Sequence, residues 1–335
     1  MSTDAREPAS FDTIGEIDDA ALQAAILEAA LQLDVFTTIG PRTMSLEATA
    51  HAVGADSRAL AVLLDALCSL GLLDKSSAGY RLEAAAAAFL ARGSEAFWGD
   101  VALRGFAVRR QLTEVVRSGR AAADLVAPSG SEIWAEYVSP RLVTWAEDVE
   151  EELAMWHELG VAVDSHPGFR VLDVACGSGI RTFCLAHEDP EARIVALDSA
   201  PVLEIAKKLA SRMGISDRIE LRPGDVTSVD LGSREFDMAL LSSLLYFFTP
   251  EDARELLSRV WRALKPGGLV VVRTAIVDEE RRVAKDALLT AVELLLWLPT
   301  SHVYTFAEYE DLLGKAGFAE IMRRGEELVT AVRPS

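Results

Sequence analysis

The second half of the chain alternates short strand-like runs with helix-like stretches, and this alternation limits the folds available to it. From Gly168 onward, runs rich in β-branched residues are separated by segments with apolar residues at three-and-four spacing. Strands that are connected through helices lie parallel in one sheet covered on both faces. The predicted strands are residues 170–175, 193–197, 219–221, 236–241, 269–274, 319–323 and 328–332. An α/β domain with a mostly parallel sheet is therefore expected.

The first half of the chain predicts a mainly helical unit. Residues 1–15 are polar and unpatterned, which is typical of a frayed arm. Helical spacing follows over 20–33, a short helix begins after Ser45, and a strongly amphipathic helix covers 57–70. A hairpin-like segment occupies 74–82. Two short helices, a third helix and a β-hairpin together outline a winged helix.

A winged helix binds DNA through basic residues on its third helix. Here that helix carries one arginine, Arg58, and one acid, Asp65. The whole chain has 33 Lys+Arg against 52 Asp+Glu, a formal charge of −19, so its average surface repels phosphates and anionic membranes. The pattern favours a winged helix used for packing or dimerisation over one in a ligand-responsive transcription regulator, and it predicts no nucleic-acid or membrane partner.

The predicted domain boundaries follow these changes in pattern. Residues 1–95 form the winged-helix domain, and residues 166–335 form the α/β domain. Residues 96–165 read as connecting helices rich in tryptophan, with a break near 127–130.

The cysteines and the N-terminal residues predict the cellular compartment of the protein. Cys68, Cys176 and Cys184 form no CxxC pair, which argues against a disulfide framework or a zinc site and fits the reducing cytoplasm. Histidines and acids show no metal-ligand spacing, so no metal is predicted. The N-terminus has no secretory pattern, and no apolar run of about 18 residues occurs.

A glycine turn after the first strand of the α/β half predicts a nucleoside site. The sequence VLDVACGSGIRTF places Gly177 and Gly179 where a tight turn and close backbone approach need glycine. The following helix begins with free backbone N–H groups. Asp198 ends the second strand, where an acid accepts hydrogen bonds from both ribose hydroxyls.

Two cofactors compete for such a turn. A dinucleotide site expects GxGxxG, but here the third glycine is replaced by Thr182. Asp173, four residues before Gly177, would repel a pyrophosphate, whereas it suits the ammonium of an amino-acid head. The motif therefore favours S-adenosylmethionine (SAM) over NAD.

Four segments in this order resemble the signature of class I SAM-dependent methyltransferases. They are VLDVACGSG, Asp198, Pro223-Gly224-Asp225-Val226 and Leu264-Lys265-Pro266-Gly267-Gly268. With the winged helix, nearly the whole chain is similar to the small-molecule O-methyltransferases of the hydroxyindole, caffeate and polyketide-tailoring type. The resemblance implies a Rossmann-like, seven-stranded SAM-binding domain behind a winged-helix domain that mediates homodimerisation and helps to close the partner's active site.

The resemblance also assigns cofactor-binding residues by position. The methionine part of SAM is lined by Asp173, Ala175, Gly177 and Gly179. Asp198 binds the ribose, while Asp225 and Val226 flank the adenine, Asp225 by accepting from its exocyclic amine. Ser242 occupies the strand-four position where family members often carry a lysine near the cofactor.

The catalytic positions depart from the family pattern. The usual base is a histidine just after strand four, but Tyr246 falls on that position. Arg273 or Thr274 replaces the acid expected at the end of strand five, and a second acid is absent. A phenol with a pKa near 10 is a poor base, so Tyr246 is expected to orient the acceptor. His302, where the family builds its substrate pocket, is the second candidate, as a displaced base.

The expected function is methyl transfer from SAM to a small aromatic or polyketide-like acceptor in secondary metabolism, with oxygen as the target. The missing base leaves three alternatives open. The acceptor is acidic enough to need no base, the target is an activated ring or enol carbon, or the protein uses SAM in a step other than methylation. Methyl transfer itself can proceed by proximity and alignment.

Overall fold

The structure is a computed structural model, and it describes residues 9–122, 132–160, 168–298 and 301–335. Its internal contacts divide the chain into two compact units, Met1–Arg110 and Gln111–Ser335. The three-part division predicted with boundaries at 95 and 165 remains a prediction. The predicted break near 127–130 lies outside the described residues.

The N-terminal unit is mainly helical, as expected. Its helices α1 to α6 are Phe11–Gln32, Val35–Ile39, Leu46–Val53, Ser57–Ser69, Ala84–Phe89 and Gly99–Arg109. Strands β1 and β2 form an antiparallel hairpin, Leu73–Ser76 with Gly79–Leu82. The apolar side of α4, with Leu60, Leu64 and Leu67 buried, packs into one core with α1, α2 and the hairpin. The winged-helix outline is thereby confirmed.

An acidic side chain on α4 connects that helix to the hairpin. Asp65 accepts hydrogen bonds from Lys75 Nζ at 2.6 Å and from Tyr80 Oη at 2.8 Å. These bonds, the one from Lys75 first, lower the pKa of the Asp65 carboxyl. One basic residue of the wing, Lys75, is thus paired with an acid of α4.

The first helix begins earlier than the sequence predicted, so the expected frayed arm over 1–15 is wrong from Phe11 onward. The cause is a capping box: Ser10 Oγ accepts from the Thr13 N–H, and Thr13 Oγ1 accepts from the Ser10 N–H, both at 3.3 Å. Four apolar side chains in the first half of α1 remain exposed, namely Phe11, Ile14, Ile17 and Leu22.

The C-terminal unit contains the predicted sheet. Its helices α7 to α14 are Leu112–Ser118, Glu132–Val138, Arg141–Glu158, Ile180–Glu188, Ala200–Arg212, Pro250–Ala263, Lys285–Trp297 and Phe306–Ala316. Its strands β3 to β9 are Arg170–Val174, Arg193–Asp198, Ile219–Pro223, Phe236–Ser242, Leu264–Arg273, Ala319–Arg324 and Leu328–Val332. The sheet order is β5-β4-β3-β6-β7-β9-β8, and only β9 runs antiparallel to its neighbours. The expected seven-stranded α/β fold is confirmed.

The strand order determines where a ligand can bind. The chain moves outward from β3 to β5 and then returns to the other side of β3 with β6. In such a sheet, a crevice opens outside the carboxyl ends of the strands at the point of reversal. Helices α9, α10 and α11 cover one face, and α12 and α14 cover the other. The crevice at β3 and β6 therefore has packed walls on both sides.

Strand β7 begins at Leu264, five residues before the predicted start at 269. The difference arises because the Pro-Gly-Gly segment pairs with the C-terminal strand region: Gly267 N donates to Arg333 O at 2.8 Å, and Arg333 N donates to Gly268 O at 2.9 Å. Proline and glycine predict a turn locally, but hydrogen bonds from a distant segment extend the strand.

Candidate cofactor and acceptor site

The glycine turn between β3 and α10 has left-handed backbone geometry. The φ angles are +61° at Ala175, +58° at Gly177 and +84° at Gly179. A Cβ at Gly179 would lie 2.4 Å from the Phe183 ring, so both the angle and the space require glycine there. The turn leaves its backbone open at the carboxyl edge of the sheet, where α10 begins.

Asp198, at the end of β4, is hydrogen-bonded to this turn. Its Oδ2 accepts from Gly177 N at 3.0 Å, and its Oδ1 accepts from Ser199 N at 2.7 Å. Burial raises the pKa of Asp198, while the two N–H donors oppose that shift by favouring the ionised form. Each oxygen keeps capacity for another donor. A fixed carboxylate with this capacity suits a ribose diol.

Asp173 lies in β3 and is 1% exposed. Its Oδ2 accepts from Thr182 Oγ1, in the first turn of α10, at 2.6 Å. Burial raises the pKa of Asp173 to about 7. A cation beside this carboxyl would favour its ionised form, as the ammonium of an amino-acid head does.

Ser242 ends β6, and its side chain is buried. Within the described residues, its Oγ has no hydrogen-bond partner. A buried hydroxyl without a partner is costly, and such a group in a native protein is often completed by a ligand or water. The unpaired hydroxyl at the crevice therefore indicates a ligand position.

Asp225 and Val226 follow β5 and lie next to the end of β4. Gly224 N donates to Asp198 O at 3.0 Å, which links the two segments. Asp225 is exposed; its Oδ1 accepts from Thr227 N at 2.8 Å and from Thr227 Oγ1 at 2.7 Å, and these bonds lower its pKa. The carboxylate is thus ionised and oriented at the edge of the crevice.

The eight residues assigned to the cofactor from sequence all lie at the carboxyl edge of β3 to β6 or in the turns that follow. Direct hydrogen bonds join Asp198 to Gly177, and the Asp173 carboxyl lies at the start of the same turn. The open turn, the two acids and the unpaired Ser242 hydroxyl fit a nucleoside with a cationic amino-acid head. The role of each residue toward that ligand remains a prediction.

Tyr246 lies in a 3₁₀ turn, Leu245–Phe247, just after β6. Burial raises the pKa of its phenol. Its ring contacts Phe247 at 4.9 Å between centroids, Phe247 contacts Trp134 at 5.5 Å, and Trp134 contacts Tyr137 at 6.1 Å. These four rings, here called the aromatic wall, stand beside the carboxyl end of β6.

His302 lies near Tyr246 through its backbone, since His302 N donates to Tyr246 O at 2.9 Å. Its imidazole contacts two other residues: Nε2 is 3.6 Å from Glu308 Oε1, and the ring centroid is 4.7 Å from that of Tyr304. The side chain is 42% exposed. Its assignment as a displaced base remains a prediction, and the structure shows no hydrogen bond from this ring to the described crevice residues.

An ionic cluster around the buried Glu152, at the same edge, was missed from the sequence. Arg273 Nη1 donates to both Glu152 oxygens at 3.0 Å, and Arg181 Nε lies 3.6 Å from Glu152 Oε1. Glu152 is 8% exposed. One local signal was available: Glu152 stands three residues after Val149 and four before Trp156, on the apolar side of α9. An acid on an apolar helix face predicts a buried partner.

The described part of the chain contains neither a cluster of metal ligands nor a membrane-spanning helix. No three His, Cys, Asp or Glu side chains converge as a metal ion would need. No helix there is long and apolar enough to cross a bilayer.

Comparison with known proteins identifies both halves of the chain. Residues 18–92 match the O-methyltransferase dimerisation domain, and residues 171–268 match a methyltransferase domain. Together the matches cover just over half of the chain.

Relatives and solved structures agree with these matches. The chain is 26% identical over 302 residues to the tetracenomycin polyketide synthesis 8-O-methyl transferase of Streptomyces glaucescens, covering 88% of this chain and 87% of the relative. It is 30% identical over 169 residues to the L-tyrosine C(3)-methyltransferase of Streptomyces lavendulae, covering 50% and 45%. Human N-acetylserotonin methyltransferase, solved in complex with SAM, has the same fold, with a TM-score of 0.75 at 20% identity over 100% of both chains.

Proposed function

This chain belongs to the SAM-dependent small-molecule O-methyltransferases with an N-terminal dimerisation domain, and we propose that it methylates a hydroxyl of a small aromatic or polyketide-like acceptor. SAM is its cofactor. The observation that carries the proposal is the adjacency of the aromatic wall to the crevice containing Asp173, Asp198 and the unpaired Ser242 hydroxyl. A flat apolar acceptor would there meet the methyl end of the cofactor.

When bound, SAM supplies a methyl group on a positively charged sulfur. We propose that the ribose hydroxyls donate to Asp198, which the Gly177 and Ser199 N–H groups hold in position. Asp173 faces the ammonium of the methionine part, beside the Ala175–Gly179 turn. Asp225 accepts from the adenine amine, and Val226 flanks the ring. The Ser242 hydroxyl donates to a cofactor or acceptor oxygen.

The aromatic wall suits a planar acceptor. Tyr246 and Phe247 pack against an apolar cluster that includes Val277, Leu294 and Val303. Aromatic faces of this kind stack on ring systems and contribute about 0.5–1.5 kcal/mol for each pair. Among the relatives, the tetracenomycin enzyme is named for a polyketide, which agrees with such an acceptor.

The acceptor must lose its proton without help from Tyr246. Burial raises the pKa of that phenol, so it is neutral at physiological pH and donates a hydrogen bond instead of accepting a proton. We infer that the acceptor hydroxyl is itself acidic, as in a phenol next to a carbonyl, a hydroxyquinone or an enol. Tyr246 then orients the acceptor oxygen, and alignment supplies the remaining rate enhancement.

The test is to incubate the protein with SAM and a panel of acidic phenols, hydroxyquinones and enols, and to follow products by mass spectrometry. A product heavier by one methyl group, formed together with S-adenosylhomocysteine (SAH), supports the proposal. NMR of the product then distinguishes an O-methyl from a C-methyl group. Turnover of an acceptor without any mass gain of methyl would contradict methyl transfer and favour a different SAM-dependent step.

Carbon methylation is the second candidate. It is favoured by tyrosine in place of the usual histidine, because an activated ring or enol carbon can attack the methyl group first and lose its proton to water after the transfer. The C(3)-methyltransferase relative, which matches half of this chain, points the same way. Most of the support from full-length relatives favours oxygen.

We also propose that the protein is a homodimer in the cytoplasm. The match to a dimerisation domain supports the dimer, as does the exposed apolar stripe of α1 formed by Phe11, Ile14, Ile17 and Leu22. The cysteines Cys68, Cys176 and Cys184 are all unpaired, which agrees with a reducing compartment.

A further inference from the structure

Ser243, the first residue after β6, has a strained backbone at the edge of the crevice. Its φ angle is +53°, in the left-handed region that residues with a side chain rarely adopt. The residue is exposed, so packing does not require a serine there. Strain of this kind persists only where the surrounding structure imposes it, and it clusters at functional sites. Glycine would accept the angle without strain, so the hydroxyl is what serine adds at this position.

Backbone hydrogen bonds from other elements fix both ends of the segment from Ser243 to Tyr246. Ser243 N donates to Arg273 O at 2.8 Å, just beyond the last residue pair of β6 and β7. At the other end, His302 N donates to Tyr246 O at 2.9 Å. The 3₁₀ turn after β6 lies in the same segment. The fold therefore holds the serine and the tyrosine at a fixed spacing, three residues apart in one turn.

The side chains of Ser243 and Tyr246 are hydrogen-bonded to each other, and the direction of the bond follows from its effect. Burial raises the pKa of the Tyr246 phenol, whereas the bond with Ser243 lowers it. A hydrogen bond favours the ionised phenol when the phenol oxygen accepts it. The Ser243 hydroxyl is then the donor, and the O–H of Tyr246 remains available to donate to a third group.

Besides burial, three groups from other elements act on the Tyr246 phenol. Arg181 of α10 favours its ionised form, and Tyr137 of α8 disfavours it. Tyr309 of α14 interacts electrostatically with the same phenol. A hydrogen bond accepted by the phenol oxygen and a cation nearby both make its O–H a stronger donor. These surroundings prepare Tyr246 to donate a hydrogen bond, which is the role proposed for it toward the acceptor.

We propose that Ser243 is a positioning residue for methyl transfer: its hydroxyl donates to the Tyr246 oxygen and thereby keeps the phenol O–H directed at the acceptor oxygen. The inference rests on the proposed function, because the acceptor is the last member of this chain of donors. A donor at the acceptor oxygen stabilises the anion, which is the form that attacks the methyl group. Tyr246 then lowers the pKa of the bound acceptor hydroxyl, and the proton of that hydroxyl passes to water.

The first test needs no acceptor. The full-length protein is labelled with NMR-active carbon at the ζ position of its five tyrosines, and the signal that disappears in Tyr246→Phe belongs to Tyr246. Ser243→Gly removes the hydroxyl but accepts the left-handed angle. It should shift the Tyr246 signal at neutral pH and raise the pKa of the phenol by about one unit. Ser258→Ala removes an exposed serine hydroxyl on α12 and should change neither value.

The second test asks whether Ser243 acts through Tyr246. With an acceptor from the panel described above, Ser243→Gly should lower kcat/KM roughly three- to tenfold. In a Tyr246→Phe background the same change should have no further effect, because the serine hydroxyl has already lost its partner.

The two tests separate this inference from the proposed function. An unchanged Tyr246 signal and pKa in Ser243→Gly would overturn the inference, whether or not the protein transfers methyl groups. Equal losses of kcat/KM in the wild-type and Tyr246→Phe backgrounds would also overturn it, because Ser243 would then act on the acceptor directly. A shifted Tyr246 signal in a protein that methylates no member of the panel would support the hydrogen-bonded pair and contradict the proposed function instead.

Discussion

At the scale of single residues, burial raises the pKa of both acids at the crevice, but their hydrogen-bond donors differ. Asp198 accepts two backbone N–H bonds that favour its ionised form, whereas Asp173 is almost fully buried with one hydroxyl donor. The first suits neutral ribose hydroxyls and the second suits a cation. Both positions were predicted from the motif, but their protonation depends on burial, which a motif does not encode.

Asp198→Ala should weaken SAH binding by roughly 10- to 100-fold, because charge-assisted bonds to the ribose are lost. Calorimetry measures the affinity. Asp217→Ala, which removes an exposed carboxylate elsewhere in the same unit, is the matched control. Unchanged SAH affinity in a folded Asp198→Ala protein would refute the ribose assignment.

Asp173 should make stability fall as pH rises. Burial raises its pKa to about 7 in the folded protein, against an ordinary value of 3.8 in the unfolded chain, so the folded state binds the extra proton between these values. The stabilisation is fully present below the lower value and is lost as pH rises through the higher one. Urea unfolding of ligand-free wild type and Asp173→Asn, compared from pH 4 to pH 8, should show a larger loss in wild type than in the variant. A constant difference between the two proteins across that range would contradict it.

Tyr246→Phe should lower kcat/KM for the acceptor by roughly tenfold, the value of one lost hydrogen bond in the aligned complex. SAH affinity should stay the same. Tyr80→Phe removes a phenol hydroxyl from the N-terminal unit, where it binds Asp65, and serves as the control. Full activity of Tyr246→Phe would remove this hydroxyl from the mechanism.

At the scale of elements, local patterns located nearly every helix and strand of the α/β half, since their periods and turn residues are short-range properties. The two misses have different causes, one long-range and one local. Strand β7 extends through Lys265-Pro266-Gly267-Gly268 because residues near Arg333 pair with it. Helix α1 starts at Phe11 because Ser10 and Thr13 cap each other, a signal that was present in the sequence but overlooked.

A substitution in the glycine turn between β3 and α10 tests how much the geometry of that turn contributes to stability. Gly179→Ala should destabilise the protein by about 1–3 kcal/mol, because alanine would be strained at positive φ and its Cβ would collide with the Phe183 ring. Gly267→Ala is the matched control, since Gly267 has a φ of +78° but no atom within 4 Å of the added Cβ. Urea unfolding gives both values. Equal losses in the two variants would show that the contact with Phe183 contributes nothing.

At the scale of the whole molecule, one copy of the chain does not explain why the apolar stripe of α1 is exposed. Its side chains are between 60% and 84% exposed, far more than a lone folded chain would need to leave open. A second copy of the chain is the proposed cover, in agreement with the match to a dimerisation domain.

Ile14→Asp combined with Ile17→Asp should raise the dimer dissociation constant roughly tenfold or more, because charges would be buried in an apolar contact. Light scattering after size exclusion measures the mass at several concentrations. Gln23→Asp adds one negative charge on another side of α1 and should leave the dimer intact. A variant that remains dimeric at every concentration would exclude this stripe from the interface.

The sequence by itself determined the fold class and the cofactor and predicted the candidate binding residues, because the turn from Asp173 to Gly179 is contiguous and strand ends follow from periodicity. Only the tertiary structure decided what charges surround that turn. Arg273 and Glu152 are 121 residues apart and meet only when α9 packs over the sheet. Likewise, the direction of the His302 imidazole and the burial of Tyr246 depend on neighbours from distant elements, and no local pattern records them.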